Sequence, residues 1–278
     1  MRILIIDRDD MFSGLLASKM RAAGHDVVET RIKNDGLEQM ISGKVDAVYF
    51  DPSPLNDPKA ILYQVRRMVH NFPYLVLTGD FSRAQAIKAG CHDALRKPLD
   101  PEALTASLAN GERMIGLIRR LGDESYDFPS SGGVISKSAF NQLFLSAMDR
   151  VGRYGENAHA LFLSVSNYEQ IKFDDGKYAA DYAASRLAQM LVRLRRQSDI
   201  LAQTGASEFA LLLQRPQTDT ESLDAARRFA DSLDARSEIA SGGMTDVKIE
   251  VSLVHIPTGA LDFHQETVIP AIGARRNG

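Results

Sequence analysis

The sequence predicts an α/β first half, a doubly wound five-stranded parallel sheet, followed by an α+β domain with a mixed sheet. The chain has 278 residues, more than one ordinary domain usually contains. Short apolar runs alternate with helical patterns through its first third, and this alternation is typical of parallel sheets covered by helices on both faces. Polar residues fall where the apolar runs end, which is where such folds place their functional groups.

Five strand-like runs define the predicted parallel sheet, at Ile3–Asp7, Asp26–Glu29, Ala47–Asp51, Tyr74–Thr78 and Ala94–Lys97. Helical patterns lie between them, near residues 10–23, 35–43, 58–70 and 82–90. Because the carboxyl ends of parallel strands meet at one edge, residues at those ends are expected to lie close together. The end positions hold Asp7, Asp51, Thr78 and Lys97, so the sequence predicts one site there.

A helix with an acidic start and an early proline begins at Asp100, and its apolar spacing continues as far as Leu121. Two interpretations of this helix stay open: one face packs on the sheet, or it protrudes and pairs with a second copy as a homodimer. The predicted domains are residues 1–121, a polar linker at 122–133, a second domain at 134–258 and a loose tail at 259–278. The second domain has strand patterns near 160–165, 208–214 and 247–257 and a long helix over Tyr178–Arg196.

Composition excludes several classes of function. A net charge of −3 gives no general attraction to nucleic acid or to membrane surfaces, so no nucleic-acid partner is expected. No apolar run reaches the length of about 18 residues that predicts a membrane span. The single cysteine, Cys91, cannot form an internal disulfide, which suits a reducing compartment. We therefore expect a cytoplasmic protein.

Phosphoryl transfer to a carboxylate needs a nucleophilic aspartate, a divalent cation, and groups that hold the phosphoryl oxygens. Asp51 ends the run VYFD and is the candidate phosphoacceptor, while Thr78 and Lys97 are candidates for phosphoryl binding. Asp7 and Asp9, together with Asp51, are the candidate ligands for Mg²⁺.

The ordered set IID, VYFD, VLTG and RKP resembles the response-regulator receiver family over the whole predicted first domain. The resemblance implies a flavodoxin-like fold, phosphorylation of Asp51 by a histidine kinase or phosphotransfer protein, and a downstream protein partner.

Three positions depart from the family pattern. Arg8 stands where a second acid is usual, Ala94 replaces the aromatic residue that couples phosphorylation to output, and Pro52 follows the phosphoacceptor directly. Three interpretations of Arg8 stay open. Its guanidinium points into the pocket and weakens cation binding, or it fills the place of the cation and pairs with Asp7, Asp9 and Asp51, or the acid has moved to Asp9 and Arg8 lies outside.

The second domain resembles the GGDEF diguanylate cyclase family, which has a palm-type fold. The resemblance rests on RQSDILAQTGASEFALLL at residues 196–213 and on LFLSVSNYEQIKFDDGKYAAD upstream. It implies a cyclase site at Ser164, Gly205, Ser207 and Glu208, with Ser164 and Ser207 in place of metal-binding acids. Since hydroxyls cannot replace the anionic ligands of a two-metal site, we expect a degenerate domain without enzyme activity.

Arg196 and Asp199 form an R-x-x-D motif, and five residues separate it from Gly205. In the GGDEF family this spacing marks a site for cyclic di-GMP, because arginine can contact a phosphate or guanine edge and aspartate can accept from guanine. The alternative is a solvated, basic helix end that keeps the motif by ancestry.

These expectations combine into a non-catalytic regulator of two-component and cyclic di-GMP signalling. An altered phospho-receiver is coupled to a GGDEF-like domain that docks partners and binds cyclic di-GMP. The alternatives are a diguanylate cyclase switched by phosphorylation, or a protein-interaction scaffold with neither phosphorylation nor ligand binding.

Overall fold

The computed structural model describes residues 1–31, 45–53, 62, 73–218, 220–234, 239 and 243–271. The helix expected near 35–43 lies outside the described residues, as does all of the one expected near 58–70 except Leu62. The chain forms two compact units: the first comprises residues 1–119, 149–156 and 257–259, and the second comprises 120–148, 157–256 and 260–278.

The first unit contains the predicted five-stranded parallel sheet. Its strands are β1 (Arg2–Ile6), β2 (Asp26–Thr30), β3 (Ala47–Phe50), β4 (Tyr74–Thr78) and β5 (Asp93–Leu95), in the order β2-β1-β3-β4-β5. All of its strand pairs are parallel among the described residues, with Ile6 beside Phe50 and Phe50 beside Leu77. The three central strands are almost wholly buried, which explains their continuous apolar runs. The α/β prediction is confirmed.

Two helices of this unit show local signals that fix their ends. Helix α1 (Asp10–Ala22) begins after Asp9, whose side chain accepts a hydrogen bond from the amide of Phe12. Helix α2 (Arg83–Ala89) begins with a reciprocal capping box between Ser82 and Gln85, and ends at Gly90 in the left-handed conformation.

Helix α3 (Pro101–Gly122) is the long helix that the sequence predicted, and helix α4 (Lys137–Tyr154) follows it. The apolar positions Leu104, Leu108 and Leu121 of α3 are buried, and Ile115 and Ile118 are half-buried. None of the large exposed apolar side chains in the described part of the chain lies on α3. These side chains are thus shielded from solvent within the chain, and pairing with a second copy stays a prediction.

The second unit has its own five-stranded sheet, in the order β10-β9-β6-β8-β7. The strands are β6 (Ala158–Val165), β7 (Ile200–Gln203), β8 (Glu208–Gln214), β9 (Val247–Ile256) and β10 (Leu261–Ile269). All of its strand ladders are antiparallel among the described residues, and the parallel component is an isolated bridge between Ile135 and Ala202. The α+β architecture is confirmed.

Apolar side chains of the helices and the sheet form a core cluster in the second unit. Helices α5 (Tyr168–Asp174), α6 (Lys177–Leu194) and α7 (Glu221–Asp234) supply its helical part. The buried stripe of α6 follows helical spacing through Ala180, Ala183, Leu187 and Leu191, and it joins one cluster with side chains of the sheet. Each fully buried leucine contributes about 2 kcal/mol to the free energy of unfolding.

The expectation of a loose tail at residues 259–278 is wrong in part. Strand β10 lies within this segment and pairs with β9 at eight positions. It is an edge strand in which mostly exposed and half-buried residues alternate, so its sequence lacks the apolar run of a central strand.

Across the described residues, the helices lack the combination of length and apolar character that crossing a membrane requires.

Candidate functional site

The carboxyl edge of the parallel sheet gathers the four predicted residues. Asp7 follows β1, Asp51 follows β3, Thr78 ends β4, and Lys97 lies two residues beyond β5. The ammonium nitrogen of Lys97 is 2.7 Å from Oδ2 of Asp51 and 2.8 Å from Oδ2 of Asp7. Lys97 therefore bridges two carboxylates that the chain brings to one point.

Burial and hydrogen bonding act in opposite directions on this cluster. Burial alone would raise the pKa of Asp51, but hydrogen bonds from Lys97 and Ser53 outweigh it and hold that pKa below its ordinary value. Burial likewise works against the charged form of Lys97, yet hydrogen bonds to Asp51 and Asp7 raise its pKa. Asp51 and Lys97 are therefore both charged at neutral pH, so Asp51 is a carboxylate able to act as a nucleophile.

Thr78 contributes a buried hydroxyl at the same edge. The residue is 1% exposed, and its Oγ1 has no hydrogen-bond partner in the part of the chain that the structure describes. A buried hydroxyl without a hydrogen-bond partner lowers the stability of the fold. This hydroxyl is therefore placed to donate a hydrogen bond to an oxygen of a bound ligand. The next residue, Gly79, has φ of 121°, and a Cβ there would lie 3.2 Å from the ring of Phe81.

The predicted three-acid magnesium site is not formed among the described residues, where no group of three acidic, histidine or cysteine side chains is placed to hold a metal. The Oδ1 of Asp9 accepts from the amide of Phe12 at 3.1 Å, so Asp9 serves as the N-cap of α1. Asp7 and Asp51 do offer two adjacent carboxylates, which are ligands that Mg²⁺ prefers. The donor set that fits the ion is thus this pair without Asp9.

Arg8 is exposed, whereas Lys97 makes the ion pairs with Asp7 and Asp51. Of the three interpretations of Arg8, the structure favours the one that places it outside the pocket. Ala94 is half-buried and lines a cavity of about 370 Å³ with Phe81, Arg96 and Ala103, so the missing aromatic ring leaves open space.

The predicted cyclase positions meet at one end of the antiparallel sheet. Ser164 is registered with Glu208 of β8 on one side and with Glu250 of β9 on the other. Direct cross-strand neighbours share a face of the sheet, so two carboxylates flank Ser164. Sequence reasoning missed Glu250, because its place beside Ser164 depends on the register of β9.

Hydrogen bonds within the β7–β8 turn fix Glu208 and Ser207. The Oγ1 of Thr204 donates to Oε1 of Glu208 at 2.5 Å, and the amide of Gly205 donates to the carbonyl of Glu208 at 3.1 Å. The hydroxyl of Ser207 donates to the carbonyl of Val165 at 3.2 Å. Glu208 also pairs with Arg120 of the same unit.

Asp181 joins α5 to α6. It accepts from the hydroxyl of Tyr168 and from the ammonium of Lys177, each at 2.5 Å. The hydrogen bonds from Lys177 and Tyr168 lower the pKa of Asp181, and burial together with this bond raises the pKa of Tyr168 to about 12.

Arg196 and Asp199 share a turn just after α6. Oδ2 of Asp199 accepts from the backbone amide of Arg196 at 2.9 Å, which leaves the Arg196 guanidinium to pair with Glu221 at 2.8 Å. Both residues line a cavity of about 240 Å³ whose wall also includes Ser222, Arg215 and Arg228. The motif therefore belongs to a lined cavity, and no sequence pattern indicated that α7 forms part of its wall.

The second half of the chain is assigned by a family match. The family model of the diguanylate cyclase GGDEF domain matches residues 130–266, so this part of the chain is similar to a GGDEF domain. The expectation of a protein without enzyme activity is wrong, because the family model that matches is that of the diguanylate cyclase GGDEF domain. The match includes Ser164 and Ser207, the two positions where hydroxyls stand in place of acids.

Solved structures similar to the chain fall into two groups. The GGDEF domain of TpbB, also called YfiN, from Pseudomonas aeruginosa is 22% identical, with a TM-score of 0.38, and the match covers 43% of this chain and 70% of that one. A putative response regulator from Chloroflexus aurantiacus is 26% identical, with a TM-score of 0.36, over 40% of this chain and 95% of that one.

A response-regulator receiver domain protein from Clostridium thermocellum is 20% identical, with a TM-score of 0.38, over 42% of this chain and 98% of that one. The comparison with curated proteins finds no match.

Proposed function

We propose that the protein is a regulator in cyclic di-GMP signalling whose first unit accepts a phosphoryl group on Asp51. The observation that carries the proposal is the bridge from Lys97 to Asp51 and Asp7, beside the buried hydroxyl of Thr78 that lacks a partner among the described residues. This cluster supplies a nucleophile, a positive charge and a hydroxyl donor at one strand edge, which are the groups that phosphoryl transfer uses.

The donor in the proposed transfer is a phosphohistidine of a histidine kinase or phosphotransfer protein. A carboxylate oxygen of Asp51 bonds to phosphorus as the phosphorus–nitrogen bond breaks, and the departing imidazole keeps the electron pair and takes up a proton. Lys97 then neutralises a phosphoryl oxygen, and Thr78 donates its hydroxyl to another. Asp7 and Asp51 are the residues that would hold Mg²⁺, which when bound would supply further positive charge against the phosphoryl oxygens.

Intact-protein mass spectrometry after incubation with acetyl phosphate and Mg²⁺ tests this proposal. The wild-type protein is expected to gain the mass of one phosphoryl group, and Asp51→Asn none. Asp9→Asn is the matched control, because asparagine also caps helices and Asp9 is not part of the cluster. Equal incorporation in the wild type and in Asp51→Asn would remove Asp51 as the phosphoacceptor, and an inert wild type would favour the scaffold interpretation.

We further propose that Arg196 and Asp199 bind cyclic di-GMP in the second unit. The support is the cavity that both residues line, which contains three arginines, together with the match of this unit to the GGDEF family. Arginine suits the diester phosphates, and it can also pair with a guanine edge.

Calorimetry with cyclic di-GMP tests the binding proposal. Wild type is expected to bind at micromolar to tens of micromolar ligand, and Arg196→Ala is expected to lose binding. Arg193→Ala removes the same charge from the last turn of α6 without changing the cavity wall, so it is the matched control. Equal heats in the wild type and in Arg196→Ala would contradict the assignment.

A further inference from the structure

The cavity beside Arg196 already holds an anionic group of the chain itself. Oε1 of Glu221 lies 2.8 Å from Nη1 of Arg196, and Oε2 accepts from the amide of Gln217 at 2.6 Å. Both oxygens of this carboxylate are therefore occupied at the cavity wall. Hydrogen bonds from the Gln217 amide and from Arg196 lower the pKa of Glu221, so it is charged at neutral pH.

The wall around this ion pair is built to hold an anion. Among the described residues that line the cavity, the charged ones are Arg196, Arg215, Arg228, Asp199 and Glu221, three positive and two negative. Ser222 also lines it; the residue is 2% exposed, and its Oγ has no hydrogen-bond partner within the described chain. Helix α7, of 14 residues, begins at Glu221, so its positive end faces the same region.

Asp199 does not compete for the guanidinium in the same way. Its Oδ2 accepts from the backbone amide of Arg196, and its backbone carbonyl accepts from Arg195 at 2.8 Å. Glu221 is thus the group that takes the place an incoming phosphate would need on Arg196. If Glu221 left the cavity, the charges of the described lining residues would change from a balance of +1 to +2.

We propose that Glu221 is a built-in gate that competes with phosphate-bearing ligands for Arg196 and so sets the affinity of this cavity. The identity of the ligand as cyclic di-GMP rests on the proposed function. The competition itself does not, because Glu221 would compete with any phosphate anion for Arg196. Ligand entry moves the Glu221 carboxylate off Arg196 and the Gln217 amide, and the phosphate then accepts from Arg196 and from the Ser222 hydroxyl. Affinity is therefore held below what the arginines alone would give.

The test titrates inorganic pyrophosphate, and separately cyclic di-GMP, into the full chain by calorimetry at low salt. Glu221→Gln keeps the shape of the side chain and removes its charge, so pyrophosphate is expected to bind roughly three- to tenfold more tightly than to wild type. The double variant Arg196→Ala/Glu221→Gln is expected to lose that gain.

Asp224→Asn is the matched control, because Asp224 is exposed in the same first turn of α7 and does not line the cavity. It is expected to bind pyrophosphate like the wild type. A thermal unfolding scan of Glu221→Gln verifies that the variant is folded, and Glu221→Ala gives a second variant with the same expected gain.

The outcomes separate the gate from the identity of its ligand. Tighter pyrophosphate binding by Glu221→Gln, with no cyclic di-GMP binding by any variant, keeps the gate and removes cyclic di-GMP as the ligand. Equal affinities of Glu221→Gln and wild type for both ligands overturn the gate. Absence of binding of either ligand to every variant overturns it as well.

Discussion

The ammonium nitrogen of Lys97 lies 2.7 Å from Oδ2 of Asp51, although 46 residues separate them along the chain. The same nitrogen lies 2.8 Å from Oδ2 of Asp7, whose side chain is only 2% exposed. The carboxylate that we propose as the phosphoacceptor is therefore held by the cation that will afterwards face the phosphoryl oxygens. The role of each residue at this site can therefore be tested by its own substitution.

Replacing Lys97 with methionine is expected to slow phosphorylation of Asp51 by roughly 10²-fold, because a positioned charge is lost while the apolar stem remains. The measurement is the rate of phosphoryl incorporation from acetyl phosphate at saturating Mg²⁺. Lys88→Met, on α2 and outside the cluster, is the matched control and is expected to react at the wild-type rate. A rate for Lys97→Met within twofold of wild type would contradict this role.

The Lys97–Asp51 pair also makes stability depend on pH. Because the pKa of Asp51 is lowered in the folded state, its contribution is present above the ordinary carboxyl pKa of about 4 and is lost as pH falls toward the folded value. The raised pKa of Lys97 leaves its own contribution intact up to about pH 10.

Wild type is therefore expected to exceed Lys97→Met in free energy of unfolding by about 1 kcal/mol at pH 7, after allowance for solvent screening. The difference should shrink as the pH falls below about 4. Urea unfolding at a series of pH values measures it. A difference that stays constant down to pH 2 would show that the pair does not stabilise the fold in this way.

Thr78 gives a prediction in which stability and activity change in opposite directions. Thr78→Val removes a buried hydroxyl that has no partner among the described residues, so the free energy of unfolding is expected to stay the same or rise by about 1 kcal/mol. Phosphorylation of Asp51 is expected to slow, because a donor to the phosphoryl oxygens is gone. Thr78→Ser should keep most of the rate, and a Thr78→Val protein that is both less stable and fully reactive would contradict the assignment.

Asp9 is expected to act on helix α1 and not on the metal. Asp9→Ala removes the acceptor for the Phe12 amide and should lower the free energy of unfolding by about 1 kcal/mol, whereas Asp9→Asn should change it little. Neither variant is expected to shift the Mg²⁺ concentration that half-saturates phosphorylation. A shift of fivefold or more in Asp9→Asn would return Asp9 to the metal site.

The parallel sheet and its site were predictable because buried central strands leave continuous apolar runs, and strand ends in such a sheet converge. Asp51, Thr78 and Lys97 could be placed together on that basis alone. The N-cap role of Asp9 also had a signal, since an aspartate directly before a predicted helix start is a favoured cap. Asp9 was instead predicted to belong to the Mg²⁺ site, because it lies at the end of the first strand together with Asp7.

Other features depend on contacts that no local pattern encodes. Glu221 forms an ion pair with Arg196, which lies 25 positions earlier in the chain. Glu250 lies beside Ser164 only because of the register of β9 with β6. The edge strand β10 consists mostly of exposed and half-buried residues, so its sequence looks like that of a loose tail. Long-range register and edge position are set by tertiary pairing, so the sequence could not supply them.

The site of phosphorylation is the central claim, and chemical mapping tests it most directly. After reaction with acetyl phosphate and Mg²⁺, reduction of the acyl phosphate with borohydride converts the modified aspartate into homoserine, which peptide mass spectrometry locates. The account predicts homoserine at position 51. Modification at a different acid, or no modification of a folded protein, would contradict it.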